Sequence, residues 1–267
     1  MIGQHLLVGY APGRGGDEAL ATAFDLVRHT GGLVTVAHVH PPGRPAAATE
    51  AATLLGRLRT RLDDPATEVV AVASRSVGRG LATAAARAGA DAIVIGSAAG
   101  GARGRITLGS AADHLLHSAP ESVLVVPAGH VPAARAERLT VMYVGRPQCE
   151  EAVLRASVAA QEYGVPLRLL TLALEGDPRG PLQDDLALAV RLALDSSGLD
   201  PDDVSAGLGE GDDVAAAMAD AGWDPGEMMV VASSEDASPH RVFLSEIGLK
   251  MVRAALCPVI VLPRGYT

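Results

Sequence analysis

The chain has 267 residues, of which 48% are hydrophobic and 20% are charged, a composition that is typical of a folded globular protein and excludes a disordered one. Its formal net charge is −9, and the charge is uneven: residues 1–134 hold 11 basic and 10 acidic residues, whereas residues 135–267 hold 11 basic and 21 acidic ones. The acidic second half argues against nucleic acid as a partner, because binding to a phosphate backbone needs basic patches.

Strand and helix patterns alternate along the first half of the chain. The predicted elements are strand 5–10, helix 16–30, strand 33–40, helix 46–62, strand 67–74, helix 79–89, strand 92–96, a glycine-rich loop, helix 110–118 and strand 121–127. Strands such as AIVI and SVLVV are almost continuously apolar, as expected when both faces of a sheet are covered. This alternation predicts an α/β fold with a doubly wound parallel sheet, whose ligands bind at the carboxyl ends of the strands.

The second half of the chain repeats the first. The segment LLVGYAPGRGGDEALATAF (6–24) aligns with LTVMYVGRPQCEEAVLRAS (139–157) at an offset of 133. Near the end of each half, RITLGSAADHLLHSAPESVLVVP (105–127) aligns with RVFLSEIGLKMVRAALCPVIVLP (241–263) at an offset of 136, which predicts a three-residue insertion around 223–225. We therefore expect two tandem domains, 1–134 and 135–267, joined by the Gly- and Pro-containing linker 128–139.

The loop after the fourth strand has a regular glycine spacing. Gly96 is followed by Ala99 and Gly100. Nine residues separate Ala99 from Gly109 and Ser110, which are followed by a helix and the strand SVLVVP. With this spacing the first half resembles a universal stress protein domain, and the whole chain resembles a tandem universal stress protein of the kind common in high-GC actinobacteria. The resemblance implies Rossmann-like domains, a stress-response regulatory or binding role, and one ATP bound in the first half.

The resemblance also implies which residues would bind the nucleotide. Glycines let backbone N–H groups approach a phosphate, Ser110 is predicted as helix N-cap or phosphate donor, and Arg103 and Arg105 could add positive charge. The family's aspartate and glycine after the first strand are replaced by Ala11 and Pro12, so an exposed loop without ligand is the alternative. The residues implied for nucleotide binding are Ala11, Pro12, Gly13, Val39, Gly96, Ser97, Gly100, Gly109 and Ser110.

The second half has lost the glycines of this loop. Ala232 aligns with Gly96, and Ser245 aligns with Gly109. Glu235 and Glu246 stand where phosphates would lie, and two like charges about 4 Å apart repel by roughly 4 kcal/mol at an effective dielectric constant near 20. The second domain is therefore expected to be degenerate and to bind no nucleotide.

The sequence contains no motif for phosphoryl transfer. Lys250 is the only lysine, so a Walker A loop is absent, and neither a G-x-S-x-G nor a G-x-G-x-x-G motif follows a strand. The pairs His38/His40 and His114/His117 are interpreted as polar strand-end and helix-surface residues. We expect no catalytic residues, no metal site and no enzyme reaction; the alternatives are a slow nucleotide hydrolase or phosphotransferase, or a ligand-free structural interaction protein.

Further features bear on location and partners. Cys149 and Cys257 are too few for a disulfide framework or a zinc site, no apolar run approaches the roughly 18 residues of a membrane span, and the first residues lack a signal-peptide pattern. A cytoplasmic protein without membrane partner is expected, with a regulatory protein of unknown identity as its partner. Because single-domain relatives pair through their last strands, SVLVVP and PVIVLP should pair antiparallel as an internal pseudo-dimer, which could form a further homodimer.

Overall fold

The computed structural model describes residues 3–133 and 137–265. The predicted domain boundary between residues 134 and 135 lies outside the described residues. The elements of the first half are β1 (His5–Gly9), α1 (Arg14–Thr30), β2 (Leu33–His40), α2 (Pro45–Leu62), β3 (Glu68–Ala73), α3 (Val77–Ala88), β4 (Ala92–Gly96), α4 (Ser110–Leu116) and β5 (Ser122–Val126).

The second half repeats this order with one additional 3₁₀ helix. Its elements are β6 (Arg138–Met142), α5 (Pro147–Tyr163), β7 (Leu167–Leu174), α6 (Arg179–Ser197), the 3₁₀ helix Pro201–Asp203, β8 (Val204–Gly211), α7 (Val214–Asp220), β9 (Glu227–Ala232), α8 (Glu246–Ala254) and β10 (Val259–Leu262). The predicted elements of the first half are all present, with ends that shift by up to two residues.

The ten strands form one sheet in the order β3-β2-β1-β4-β5-β10-β9-β6-β7-β8. The strands within each half are parallel, as predicted. The two halves meet at β5 and β10, which pair antiparallel with Val125 opposite Val259 and Val123 opposite Val261. The predicted pairing of the last strands within one chain is therefore confirmed.

Helices cover both faces of the sheet. Along β1, Leu6 and Val8 point into a core with α1, α2, α5 and α6, whereas Leu7 points into a second core with α3, α4, α7 and α8. All three side chains are fully buried, which explains why the strands are apolar at successive positions. The doubly wound α/β architecture is thus the one that the sequence predicts.

The insertion in the second half lies elsewhere than predicted. Thr35 pairs with Glu68, 33 residues later, whereas the equivalent Arg168 pairs with Ser205, 37 residues later. The additional residues therefore fall between β7 and β8, where α6 is followed by the 3₁₀ helix, and not around 223–225. The sequence comparison missed this because no residue pattern is shared by the two segments.

Two arginines at equivalent positions of the repeat each form a hydrogen bond with the other half. Arg105 Nη1 donates to the carbonyl oxygen of Ala254 at 2.7 Å, and Arg241 Nη1 donates to that of Ser118 at 2.8 Å. Ser118 and Ala254 are themselves equivalent positions of the repeat, so the two contacts are related by the internal pseudo-symmetry. Each arginine thereby fixes the loop before α4 or α8 to the end of the opposite half's helix.

Candidate nucleotide-binding site

A cavity of about 600 Å³ opens at the carboxyl ends of β1, β2 and β4. Three segments form most of its wall: the loop after β1, the end of β2, and the glycine-rich loop between β4 and α4. β1 lies between β2 and β4 in the sheet: the connection after β1 leads to β2 on one side of it, and the connection after β3 leads to β4 on the other side. This is the topological switch point at which open α/β sheets bind ligands.

Most of the predicted binding residues lie around this one cavity. Ser110 is not part of its wall, although its neighbours Gly109 and Ala111 are. Ser110 is also not the N-cap of α4: Gly109 holds that position and Ser110 is the first helical residue, so the predicted N-cap is wrong. The predicted residues that line the cavity are Ala11, Pro12, Gly13, Val39, Gly96, Ser97, Gly100 and Gly109.

Glycines allow the first turn of α1 to touch the end of β4. A Cβ at Gly96 would overlap the carbonyl oxygen of Gly15, and a Cβ at Gly15 would overlap that of Ser97. A Cβ at Gly16, also in the first turn of α1, would overlap the carbonyl oxygen of Ala11 in the loop after β1. These glycines are needed for backbone packing that shapes the cavity, whether or not a ligand is present.

Hydrogen bonds hold the glycine-rich loop in place. The Ala98 N–H donates to the Thr107 carbonyl at 2.8 Å, and the Thr107 N–H donates to Ser97 Oγ at 2.8 Å. The Gly104 N–H donates to the Ala128 carbonyl at 2.6 Å. Gly100 and Gly104 have φ of 86° and 74°, which only glycine adopts readily. The loop is therefore an ordered structure with a fixed shape.

The two arginines of this loop point to different places. Arg103 lines the cavity, and its side chain packs along Gly129. Arg105 instead contacts Ala254 in the second half. The sequence offered both as positive groups for a phosphate, but only Arg103 is in the cavity wall. The sequence could not predict which way each arginine points, because the loop is neither a helix nor a strand and two positions in it have no fixed relative direction.

The end of β2 contributes a histidine to the cavity wall, and the residue directly after β1 is a buried tyrosine that also lines it. His38 Nδ1 donates to the carbonyl oxygen of Tyr10 at 2.9 Å, so in the neutral ring Nε2 is an acceptor. Tyr10 donates to Asp17 Oδ1 at 3.2 Å, and Arg61 donates to the same oxygen at 2.9 Å. Burial, followed by the Asp17 carboxylate, raises the pKa of Tyr10, so its phenol stays protonated. His38 thus belongs to the candidate site, which the sequence interpretation missed.

A glutamate that the sequence analysis did not consider also lines the cavity. Glu18, on the second turn of α1, accepts a hydrogen bond from the Gly129 N–H. In the second half the equivalent Glu151 accepts from the Gly265 N–H at 3.1 Å. Because both halves keep this contact, it fixes the segment after the last strand to the first helix of each half. Only the alignment of the acids at the start of the two helices could have indicated it.

Part of the equivalent region of the second half is filled. The cavity between α5 and the ends of β9 and β10, which includes Gln148, Glu151 and Ala232 at the positions equivalent to Gly15, Glu18 and Gly96, has a volume of only about 10 Å³, too small for a ligand larger than water. Arg146, which aligns with Gly13, forms an ion pair of 2.6 Å with Glu235, which aligns with Ala99. Arg264 donates to the carbonyl oxygens of Glu235 and Ala237. These contacts close the space that the two loops leave open in the first half.

Within 3–133 and 137–265, no group of three or more His, Cys, Asp or Glu side chains is arranged to hold a metal ion. No helix in those ranges is long and apolar enough to span a membrane.

Comparisons with known proteins agree with the fold and its duplication. A model described as "Universal stress protein family" matches residues 3–127. A solved structure of a universal stress protein from Archaeoglobus fulgidus has a TM-score of 0.74 at 17% identity, covering 99% of this chain and 100% of that one. A protein of unknown function from Pseudomonas aeruginosa has a TM-score of 0.66 at 12% identity, covering 98% of this chain and 93% of that one. At these identities the structures show the fold alone.

Sequence relatives extend the match to both halves. A universal stress protein of Mycobacterium tuberculosis is 30% identical to this chain, covering 97% of this chain and 99% of the relative. A universal stress protein of Mycobacterium bovis matches with the same values. With two repeats in one ten-stranded sheet and a full-length match at this identity, the chain belongs to the universal stress protein family.

Proposed function

We propose that this protein is a cytoplasmic stress-response binding protein that takes one adenine nucleotide, such as ATP, in its first half and catalyses no reaction of its own. The observation that carries the proposal is the difference between the halves: a cavity of about 600 Å³ lies between the two loops at the switch point of the first, whereas in the second the Arg146–Glu235 ion pair joins the equivalent loops. Residues 1–134 would then form the ligand-binding domain and residues 135–267 a degenerate domain that completes the sheet.

The cavity wall has two chemically different parts. The part around Ala37, Val39, Leu81 and Ile95 is apolar and suits a flat base, with the His38 acceptor beside it. The part formed by the glycine-rich loop presents backbone groups and Arg103, which suits an anion. A nucleotide has both characters, and this supports an adenine nucleotide over a purely apolar ligand.

The residues around the cavity do not favour phosphoryl transfer. Such transfer needs charge neutralisation, usually by a magnesium ion together with a lysine or arginine. Ala11 occupies the position of the family's acid, and of the described side chains Arg103 is the one guanidinium in the wall. We expect any ATP hydrolysis to be far below the roughly 1–100 s⁻¹ of kinases. Magnesium-dependent turnover at such rates would assign the protein to the hydrolases instead.

A matched pair of variants tests the proposed site. Gly109→Asp places a carboxylate at the cavity wall and at the N-cap of α4, a position where Asp is favourable for the helix. Ser245→Asp makes the same change at the equivalent N-cap of α8. In calorimetric titrations with ATP, we expect Gly109→Asp to abolish binding and Ser245→Asp to leave it unchanged, while both variants keep the unfolding temperature of the wild type.

Two results would contradict the proposal. If the wild type shows no heat of binding with ATP, ADP or AMP, the ligand-free interaction protein is the better reading. If Ser245→Asp weakens binding as much as Gly109→Asp does, the nucleotide does not bind in the first half alone.

A further inference from the structure

The two ends of the ten-stranded sheet are open edges. β3 and β8 are the terminal strands, so the outer backbone groups of each have no strand partner within the described chain. Open edges of this kind pair readily with other strands unless they are covered or charged. The surroundings of the two edges differ in shape and in charge.

A groove of about 510 Å³ runs beside β3 on the side of α3. It exists because α3 lies close to β2: a Cβ at Gly80 would be only 2.9 Å from Cγ1 of Val39. The helix therefore leaves Val70 and Val72 of β3 half-buried, and they form the floor of the groove. An edge strand beside a helix with an apolar floor is the geometry in which proteins add a further strand to a sheet.

The rim of this groove is basic. Arg79 and Arg87 line it from α3, both exposed and about 12 Å apart along the helix axis. None of the ion pairs between described residues involves either of them. The segment 45–88, which contains α2, β3 and α3, holds six arginines and four carboxylates. The groove thus fits a partner with an extended strand and carboxylates near it.

The opposite end of the same molecule offers such an extended strand, β8, with carboxylates near it. The segment 179–220, which contains α6, β8 and α7, holds ten carboxylates and two arginines. Of the two arginines, Arg179 is already paired with Glu210 at 2.7 Å. Asp202, Asp203 and Asp212 flank β8, are exposed, and form no ion pair with a described residue. β8 itself is eight residues long and exposed at Ser205 and Ala206.

We propose that the β3 edge of one copy binds the β8 edge of a second copy, so that the sheets continue from molecule to molecule. The helices on both faces of β8 carry carboxylates, so acidic side chains come beside Arg79 and Arg87 in either orientation of the added strand. Pairing of β3 with β3 would instead bring arginines together. Because the two edges are different surfaces, the contact is heterologous and each added molecule leaves a new edge open.

Sedimentation velocity on the intact chain tests this assembly. From about 1 µM to about 1 mM protein, the mean mass should rise steadily from the 27.2 kDa monomer without a plateau at the dimer. About 0.5 M salt should reverse the rise, because exposed ion pairs are screened. The double variant Arg79→Glu/Arg87→Glu should weaken association about tenfold or more. The control Lys250→Glu/Arg253→Glu makes the same change of charge on α8, away from β3 and β8, and should associate like the wild type.

A charge exchange makes the test independent of a general loss of association. Asp202→Arg/Asp203→Arg alone should also associate about tenfold or more weakly than the wild type. Its mixture with Arg79→Glu/Arg87→Glu should regain association, because the basic β8 edge of one variant then meets the acidic β3 edge of the other. Circular dichroism confirms that each variant is folded. The proposal is overturned by a wild type that stays monomeric at low salt, by a closed dimer that persists in both double variants, or by a mixture that fails to associate.

Discussion

Gly96 and Gly15 bring two backbones into contact beside the cavity. Neither could carry a side chain there, because a Cβ on Gly96 would overlap the Gly15 carbonyl and one on Gly15 would overlap the Ser97 carbonyl. The first of these glycines looks like a ligand-binding residue in the sequence. In the structure it is also a packing residue, so its presence alone is not a measure of nucleotide binding.

We expect Gly96→Ala to lower the free energy of unfolding by about 2 kcal/mol, since rigid backbone must move to admit the methyl group. Gly56, exposed within α2 with no atom near its would-be Cβ, provides the control. There the change to Ala should raise stability by up to about 1 kcal/mol through helix propensity. Urea unfolding of both variants measures the two effects, and equal effects of the same sign would show that the backbone contact is not as described.

At the scale of elements, the loop between β4 and α4 is fixed at both ends. Ser97, Thr107 and Ala128 hold it by hydrogen bonds, and Arg105 connects it to α8 of the other half. The loop thus faces the cavity on one side and the second half on the other. The arginines two residues apart serve these two sides separately.

Because the two arginines face different parts of the molecule, replacing Arg105 should change stability, whereas replacing Arg103 should change ATP affinity. Arg105→Ala should lower the free energy of unfolding by about 1 kcal/mol, because a charge-assisted hydrogen bond to Ala254 is lost, and should leave ATP affinity unchanged. Arg103→Ala should weaken ATP binding and leave stability unchanged within about 0.5 kcal/mol. Thermal unfolding and calorimetry on both variants check this, and a loss of affinity in Arg105→Ala alone would reverse the assignment.

The order and type of the elements could be predicted because apolar strands and amphipathic helices have distinct periods. Details that depend on neighbouring segments could not. Ser110 has the composition of an N-cap, yet the chain enters α4 one residue earlier, at Gly109. The contact of Glu18 with Gly129 joins residues 111 apart, and the four additional residues before β8 have no counterpart to align with. Such features follow from tertiary contacts and leave no local pattern.

At the scale of the whole molecule, the duplication gives one sheet with two unequal halves. β5 and β10 are buried and paired, so the halves share a continuous core on each face of the sheet. The scaffold contacts are kept in both halves, as in the pairs Glu18/Glu151 and Arg105/Arg241. The large cavity is described in the first half. The proposed nucleotide site therefore lies in the first half.

Native mass spectrometry with ATP tests this assignment most directly, because it counts ligands on each intact chain. The account predicts that the 27.2 kDa monomer gains the mass of a single nucleotide and that the added mass does not increase further as ATP rises well above the dissociation constant. Gly109→Asp should show no added mass, and Ser245→Asp should show one. Two nucleotides bound per wild-type chain with similar affinity, or one that persists in Gly109→Asp, would contradict it.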